Sequence, residues 1–179
     1  PYFVFVGAFN PRKNLSRLLL AFDQFKKESN SSTKLVVVGE KMYGTSPMIR
    51  ILKGMTFKDA VVFTGRLQVD RLNKVIGSAL AMTFVSYYEG FGIPLLEAMR
   101  CDIPILASNC TSIPEVSGDA AIYVDPFSVE SIAQGMIRLD SDISLRNSLI
   151  LRARIQRDRF SWDRTAQSLY DCMMKTVNQ

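Results

Sequence analysis

Residues 88–108, which read Y-E-G-F-G-I-P-L-L-E-A-M-R-C-D-I-P-I-L-A-S, decide the fold expected of this chain. One apolar run, residues 79–85, precedes them, and another, residues 103–107, follows a segment of helical character. The order is therefore strand, loop, helix, strand, and the loop leaves the carboxyl end of a parallel strand. Open α/β sheets bind their ligands at that end. We expect this loop to carry the functional site.

Strand and helix patterns alternate along the rest of the chain. Apolar runs predict further strands at 2–6, 35–38, 61–63 and 120–124. Helical spacing predicts helices after Asn14, over 48–55 and 69–77, and in three segments after residue 130, with Asn14 and Ser161 as N-caps. Segments 40–47 and 109–118 are predicted loops. The expected fold class is α/β, a Rossmann-like doubly wound parallel sheet of about six strands with extra carboxyl-terminal helices, in one domain over residues 1–179.

The composition is that of a globular domain. Of the 179 residues, 47% are hydrophobic and 22% are charged, and the net charge of +5 is modest and spread along the chain. No basic stripe carries interleaved aromatic residues, so nucleic acid is not an expected partner. The densest basic cluster is Arg152, Arg154, Arg157 and Arg159. It predicts a solvated helix face, although it could also suit an anionic membrane surface.

Several residue types are missing or too few for familiar chemistries. The chain has no histidine, which excludes a Ser-His-Asp triad, a Cys-His dyad and any His-ligated metal within it. Three scattered cysteines fit neither a disulfide framework nor a metal site and predict a reducing compartment, the cytoplasm. No apolar run is long enough to span a membrane, and no signal peptide is recognisable. An apolar strand at residue 1 is expected of a domain cut from a longer protein.

The central loop combines a predicted helix N-terminus with two carboxylates. Pro94 suits a first helical position, and the preceding amides of Gly92 and Ile93 would form a helix N-terminus that attracts a diphosphate. Glu97, one turn into that helix, could accept hydrogen bonds from a ribose, while Glu89 would face the sugar. Acidic residues and glycines are also common at ordinary helix starts and turns, so these residues alone leave both interpretations open.

Ordered motifs carry a family resemblance along nearly the whole chain. Residues 85–109, V-S-Y-Y-E-G-F-G-I-P-L-L-E-A-M-R-C-D-I-P-I-L-A-S-N, resemble the signature of glycosyltransferase family 4 with its E-x7-E pair. F-V-G-A-F-N-P-R-K-N-L (5–15) and V-F-T-G-R-L (62–67) resemble the family's first strand and loop and the strand and turn before its third helix. S-I-P-E-V-S-G-D-A-A-I-Y-V-D-P (112–126) and F-S-W (160–162) are also typical of it.

The resemblance implies the carboxyl-terminal, donor-binding half of a two-domain GT-B enzyme. Such an enzyme is retaining, needs no metal or cofactor, and transfers a hexose from a UDP- or GDP-sugar. Its own N-terminal acceptor domain would be the partner, so this fragment alone is expected to be inactive. The implied setting is polysaccharide or glycolipid synthesis, with peripheral association at the cytoplasmic membrane face. The alternatives are a non-catalytic sugar-nucleotide-binding subunit and, fitting less well, a sugar-nucleotide epimerase.

The same resemblance assigns roles to individual residues. Lys13 would bind the diphosphate, and Glu97 the ribose. Glu89 would contact the transferred sugar, either as a nucleophile or as a positioning group with attack on the same face, which we favour; it and Lys13 are the expected catalytic residues. The remaining expected donor-binding residues are Gly7, Arg12, Gly65, Arg66, Leu67, Gly90, Phe91, Gly92, Ile93 and Leu96.

Two positions depart from the family pattern. Ala8 stands where many members have arginine, so Arg12 either supplies that charge or is solvated. Asp102 stands where a glycine is usual, which we expect to alter only a turn.

Two further features have more ordinary interpretations. The D-x-D at Asp140–Asp142 matches a metal motif of another glycosyltransferase fold, but we expect Asp142 to cap a helix. Apolar residues of the last helix, including Trp162, are expected in the core. In GT-B enzymes this helix can instead pack against the other half.

Overall fold

A computed structural model describes residues 1–40 and 46–177 of the chain. Six strands form one parallel sheet in the order β3-β2-β1-β4-β5-β6. They are β1 (Tyr2–Val6), β2 (Lys34–Val38), β3 (Val61–Gly65), β4 (Ala81–Phe84), β5 (Ile105–Ser108) and β6 (Ala121–Val124). This is the strand order of the Rossmann fold, which confirms the predicted fold class.

Eight helices accompany the sheet within the described residues. Their bounds are α1 (Leu15–Ser29), α2 (Ser46–Gly54), α3 (Val69–Gly77), α4 (Ile93–Arg100), α5 (Ile113–Ser117), α6 (Val129–Ser141), α7 (Ile143–Arg157) and α8 (Trp162–Val177). Helices α1, α2 and α6 share one hydrophobic core with the sheet, and α3, α4, α5 and α7 contribute to a second. The sheet is therefore covered on both faces, as continuous apolar strands require. No helix in this part of the chain is long and apolar enough to cross a membrane.

The centre of the sheet decides where a ligand can bind. Strand β1 pairs in parallel with β2 on one side and with β4 on the other, so the strand order reverses between β1 and β4. Loops leaving the two strands at their carboxyl ends diverge there and leave a crevice, which is where open α/β folds bind ligands. Residues 7–14 and 85–92 form those two loops.

Several local predictions were wrong in detail. Asn14 is not a side-chain N-cap: it lies in the left-handed region (φ 59°), and its buried amide donates elsewhere. Within the predicted loop 109–118, residues Ile113–Ser117 form a helix too short for its periodicity to be recognised. Helix α4 begins at Ile93, so Pro94 is its second residue. Of the predicted loop 40–47, residues 41–45 lie outside the described residues.

The last helix differs most from expectation. Every side chain of α8 is exposed, including Trp162 at 82%, so the prediction that its apolar residues lie in the core was wrong. Its apolar side chains still keep helical spacing, and that spacing by itself cannot tell whether an amphipathic face is covered.

The basic cluster is also only partly a solvated face. Arg154 and Arg157 on α7 form ion pairs with Asp102, at 2.8 and 3.0 Å. Arg157 additionally donates to the carbonyl oxygen of Met99 (2.9 Å) near the end of α4. Asp102 is left-handed (φ 54°), and its hydrogen bond from Arg154 lowers the pKa of its carboxyl. The expectation that Asp102 alters only a turn was therefore wrong, because it also fastens α7 to α4.

Candidate functional site

The crevice between β1 and β4 brings together three charged residues from its two loops. Lys13 ends a short 3-10 helix, Pro11–Lys13, which begins after Asn10. Its Nζ lies 2.7 Å from Oε1 of Glu89, and Nη1 of Arg12 lies 2.7 Å from Oε2 of the same carboxylate. Arg12 and Glu89 are 77 residues apart in the chain. The structure thus places three of the predicted site residues in direct contact.

Glu89 is buried but ionised. Its residue exposure is 7%, and burial alone would raise the pKa of the carboxyl. Lys13 and Arg12 outweigh that effect and lower the pKa below its ordinary value. The ammonium group of Lys13 is the partner of Oε1, at 2.7 Å, and no other donor among the described residues reaches this oxygen. A carboxylate oxygen with a single donor keeps a lone pair that can accept a hydroxyl group of a ligand.

The loop that carries Glu89 is held by side chains that the sequence did not single out. The backbone N–H of Glu89 donates to Oγ1 of Thr111 (3.2 Å), and the hydroxyl of Ser112 lies 2.9 Å from the carbonyl oxygen of Glu89 and 3.1 Å from that of Phe91. Both residues follow β5, so the neighbouring loop fixes the backbone of the site. No local signal marks either residue, because serine and threonine are common in any loop.

Asn14, the last residue of the first loop, connects that loop to the second through a buried hydrogen bond. Its Nδ2 donates to the carbonyl oxygens of Val85 (3.0 Å) and Pro126 (2.7 Å), and all of these groups are buried. Arg17 supports the same region: it contacts the hydroxyl of Tyr87 and lies 3.3 Å from the carbonyl oxygen of Pro126. The sequence pattern predicts a helix cap at Asn14 and no particular role for Arg17.

The amino end of α4 lies close to Lys13. Gly92 precedes the helix with φ 109°, and a Cβ there would lie 2.8 Å from Cδ1 of Leu95 and 3.5 Å from the ring of Phe84. Only glycine fits this position without strain. The Nζ of Lys13 lies 5.0 Å from the centre of the same Phe84 ring. A cation and a helix N-terminus therefore both lie beside one aromatic ring, an arrangement suited to a negatively charged group.

Three strand ends form a backbone floor beside Lys13. The N–H of Gly7 donates to the carbonyl oxygen of Val38, and that of Gly39 to the carbonyl oxygen of Gly65, both at 3.0 Å. A Cβ on Gly39 would lie 2.0 Å from the carbonyl oxygen of Gly7, so the chains approach more closely than any side chain allows. Gly7 in turn lies against the Lys13 side chain. Backbone contacts therefore connect Gly65, through Gly39 and Gly7, to the side chain of Lys13.

Other predicted site residues lie on this edge without joining the charged cluster. Glu97 stands on α4, makes no side-chain hydrogen bond or ion pair with a described residue, and has a pKa raised by burial. Leu96 and Leu67 pack partly into the core, whereas Arg66 and Gly90 are exposed. The ring of Phe91 packs edge-on against Phe160, with ring centres 5.7 Å apart.

The D-x-D sequence has a structural role, and part of it is as predicted. Oδ1 of Asp142 accepts the N–H of Leu145 (2.8 Å) and so caps α7. Asp140, still within α6, accepts the hydroxyl of Thr33 (2.6 Å). Residues 1–40 and 46–177 contain no group of three or more His, Cys, Asp or Glu side chains that could hold a metal ion.

Comparison with known proteins identifies the family. The family model described as "Glycosyl transferases group 1" matches residues 1–156. The chain is 30% identical over 177 residues to O-antigen chain mannosyltransferase B from Escherichia coli. The matched region covers 99% of this chain and 45% of that protein.

Solved structures agree on the fold. A sucrose-phosphate synthase from Thermosynechococcus elongatus superposes with a TM-score of 0.82 at 25% identity, over 99% of this chain and 46% of the synthase. HepE from Anabaena, solved in complex with UDP and glucose, superposes with a TM-score of 0.82 at 15% identity, over 97% of this chain and 48% of that one. The chain thus spans about half the length of these three proteins, and its fold is the Rossmann-like carboxyl-terminal half of GT-B. It belongs to the group 1 glycosyl transferases, glycosyltransferase family 4.

Proposed function

We propose that this chain is the donor-binding half of a retaining, metal-independent glycosyltransferase that uses a UDP- or GDP-hexose. One observation carries the proposal: Lys13, Glu89 and the amino end of α4 converge at the crevice where the strand order reverses. Membership of a glycosyl transferase family supports it. Departure of a nucleoside diphosphate leaves negative charge on the β-phosphate, and a preorganised ammonium group and helix N-terminus stabilise such charge.

The family resemblance implies a role for each residue along the crevice. Lys13 and the backbone of residues 90–93 would face the diphosphate, with Phe91 and Ile93 bordering it. Glu97, which has no protein partner for its carboxylate among the described residues, would take the ribose hydroxyls, with Leu96 packed behind it. Gly65, Arg66 and Leu67 would line the base, and Gly7 would form the floor. Glu89 would contact the sugar through Oε1, and we favour a positioning role for it, with same-face attack.

The sugar and the acceptor are narrower proposals. The relative from Escherichia coli is a mannosyltransferase of O-antigen chains, which favours a mannosyl donor and polysaccharide synthesis. An N-terminal acceptor half would complete the enzyme, and the exposed apolar side of α8 offers it a surface. Cytoplasmic location and peripheral contact with the membrane stay predictions. Arg154 and Arg157 are already paired with Asp102, which leaves less free charge for anionic lipids.

A binding experiment tests the proposal. The chain is titrated with UDP, GDP, UDP-glucose and GDP-mannose by calorimetry, with thermal shift as a second readout, because ligand binding raises the melting temperature. Lys13→Ala and Glu97→Ala are expected to weaken binding about tenfold or more, as loss of a charged hydrogen bond does. Arg152→Ala, an exposed arginine on α7, is the matched control. A well-folded chain that binds none of these nucleotides would refute the proposal.

A second candidate is a non-catalytic sugar-nucleotide-binding subunit. The observation that favours it is Ala8, which stands where many family members carry arginine. The longer protein decides between the two. If it binds the donor but transfers sugar to no acceptor, the second candidate stands. Release of a converted donor sugar without any acceptor would instead indicate an epimerase.

A further inference from the structure

Arg12 is directed at Glu89. Its Nη1 lies 2.7 Å from Oε2 of Glu89 and 2.9 Å from the carbonyl oxygen of Tyr88, and its own carbonyl oxygen accepts the N–H of Tyr87 (2.8 Å). One residue of the β1 loop thus holds three consecutive residues of the β4 loop. A side chain engaged in this way serves the geometry of the neighbouring loop.

Glu89 and a donor diphosphate would compete for the ammonium group of Lys13. If Lys13 binds a diphosphate, it must give up at least part of its contact with Glu89. The side chains of Lys13 and Glu89 are only 11% and 8% exposed, so water cannot replace the lost partner. A buried carboxylate without a partner is strongly unfavourable and tends to take up a proton. Arg12 keeps Oε2 paired throughout, and its own side chain is 48% exposed.

We propose that Arg12 is a positioning residue, which keeps Glu89 charged and oriented while Lys13 changes partner from Oε1 of Glu89 to the donor diphosphate. The inference rests on the proposed function. The exchange leaves Oε1 free to accept a hydroxyl of the sugar, so arrival of the diphosphate prepares the sugar site. Arg12 therefore acts through Glu89 and does not substitute for the arginine that is missing at Ala8.

A double-mutant cycle on nucleoside diphosphate binding separates these two roles. The Kd values of UDP and GDP are measured by calorimetry for the wild-type chain, Arg12→Ala, Glu89→Gln and the double variant. Without Arg12, Lys13 must stay with Glu89, so Arg12→Ala is expected to weaken binding at least fivefold. In the Glu89→Gln background the same substitution should change the Kd less than twofold. Glu89→Gln alone should tighten binding, because it removes the anion that competes for Lys13.

Further variants keep the test decisive. Arg12→Lys retains the charge and should restore most of the affinity, whereas Arg12→Gln should not. Circular dichroism of each variant verifies the fold, and Lys13→Ala should weaken binding in both backgrounds. Equal weakening by Arg12→Ala in both backgrounds would mean direct contact with phosphate and would overturn the inference, as would no weakening in either. If neither nucleotide binds the wild-type chain, the proposed function itself fails.

Discussion

Replacing Asn14 by alanine tests whether this residue holds the site together. The substitution removes two buried hydrogen bonds, to the carbonyl oxygens of Val85 and Pro126. The carbonyl oxygen of Pro126 keeps a second donor in Arg17, at 3.3 Å. Loss of its hydrogen bond from Asn14 therefore costs about 1 kcal/mol. For Val85 no other side-chain donor exists among the described residues, and an orphaned buried carbonyl costs about 1–3 kcal/mol.

The sum is a loss of about 2–4 kcal/mol in the free energy of unfolding. For a chain of this size each kcal/mol lowers the melting temperature by about 2–4 °C, so the expected decrease is roughly 5–15 °C. Differential scanning calorimetry and urea unfolding measure it. Asn14 is also left-handed at φ 59°, which alanine tolerates poorly.

Asn14→Gly is the matched control, because it removes the same hydrogen bonds but accepts the left-handed backbone. It should be destabilised less than Asn14→Ala, and the difference between the two measures the backbone contribution. If Asn14→Ala melts within about 2 °C of the wild type, well below the decrease expected from two buried hydrogen bonds, the role assigned to the amide is wrong.

Three further predictions concern charge and the last helix. Folding lowers the pKa of Glu89 from its ordinary value of 4.5. The ionised carboxylate therefore stabilises the fold above pH 4.5, and this contribution is lost as the pH falls through the lowered pKa. Folding raises the pKa of Glu97 by burial, so its ionisation destabilises the fold as the pH rises through the raised pKa. Urea unfolding at pH 7 should therefore show Glu89→Gln destabilised and Glu97→Gln stabilised, and equal signs would contradict the assignment. Asp102→Asn should lower the melting temperature in dilute buffer, with a smaller decrease at 1 M salt, where the Debye length falls to about 3 Å; a salt-independent decrease would exclude the ion pairs as its cause. Deleting residues 162–179 should leave the melting temperature nearly unchanged, because α8 buries no side chain, and a clear decrease would show that the helix packs on this chain.

Much of the fold was predictable because each element carries its own pattern. The apolar runs at 2–6 and 35–38 are confirmed as β1 and as part of β2, and the helix over 69–77 has the predicted bounds. The alternation of such elements favours right-handed crossovers and a parallel sheet, and the observed strand order agrees. Helix ends were less predictable, since a short helix such as Ile113–Ser117 completes little more than one turn.

The sequence predicted the helix N-terminus of the candidate site but not the contacts among its charged residues. The motif around Gly92 indicated a helix N-terminus at the carboxyl end of a strand, and the structure has one there. Lys13 and Glu89 were expected at different parts of a ligand, and the structure pairs them directly. Whether either binds a donor stays a prediction, which the titrations above would decide.

Periodicity and turn residues act within a few positions of the chain, so the elements, their order and the chemistry available in the two loops can be predicted from local sequence. The contacts of Arg12 with Glu89, of Asn14 with the backbone of the β4 loop and of Asp102 with α7 depend on the tertiary fold. These partners lie between 52 and 77 residues apart in the chain. They become neighbours only because β1 lies beside β4 in the sheet and because α4 and α7 pack together on one of its faces.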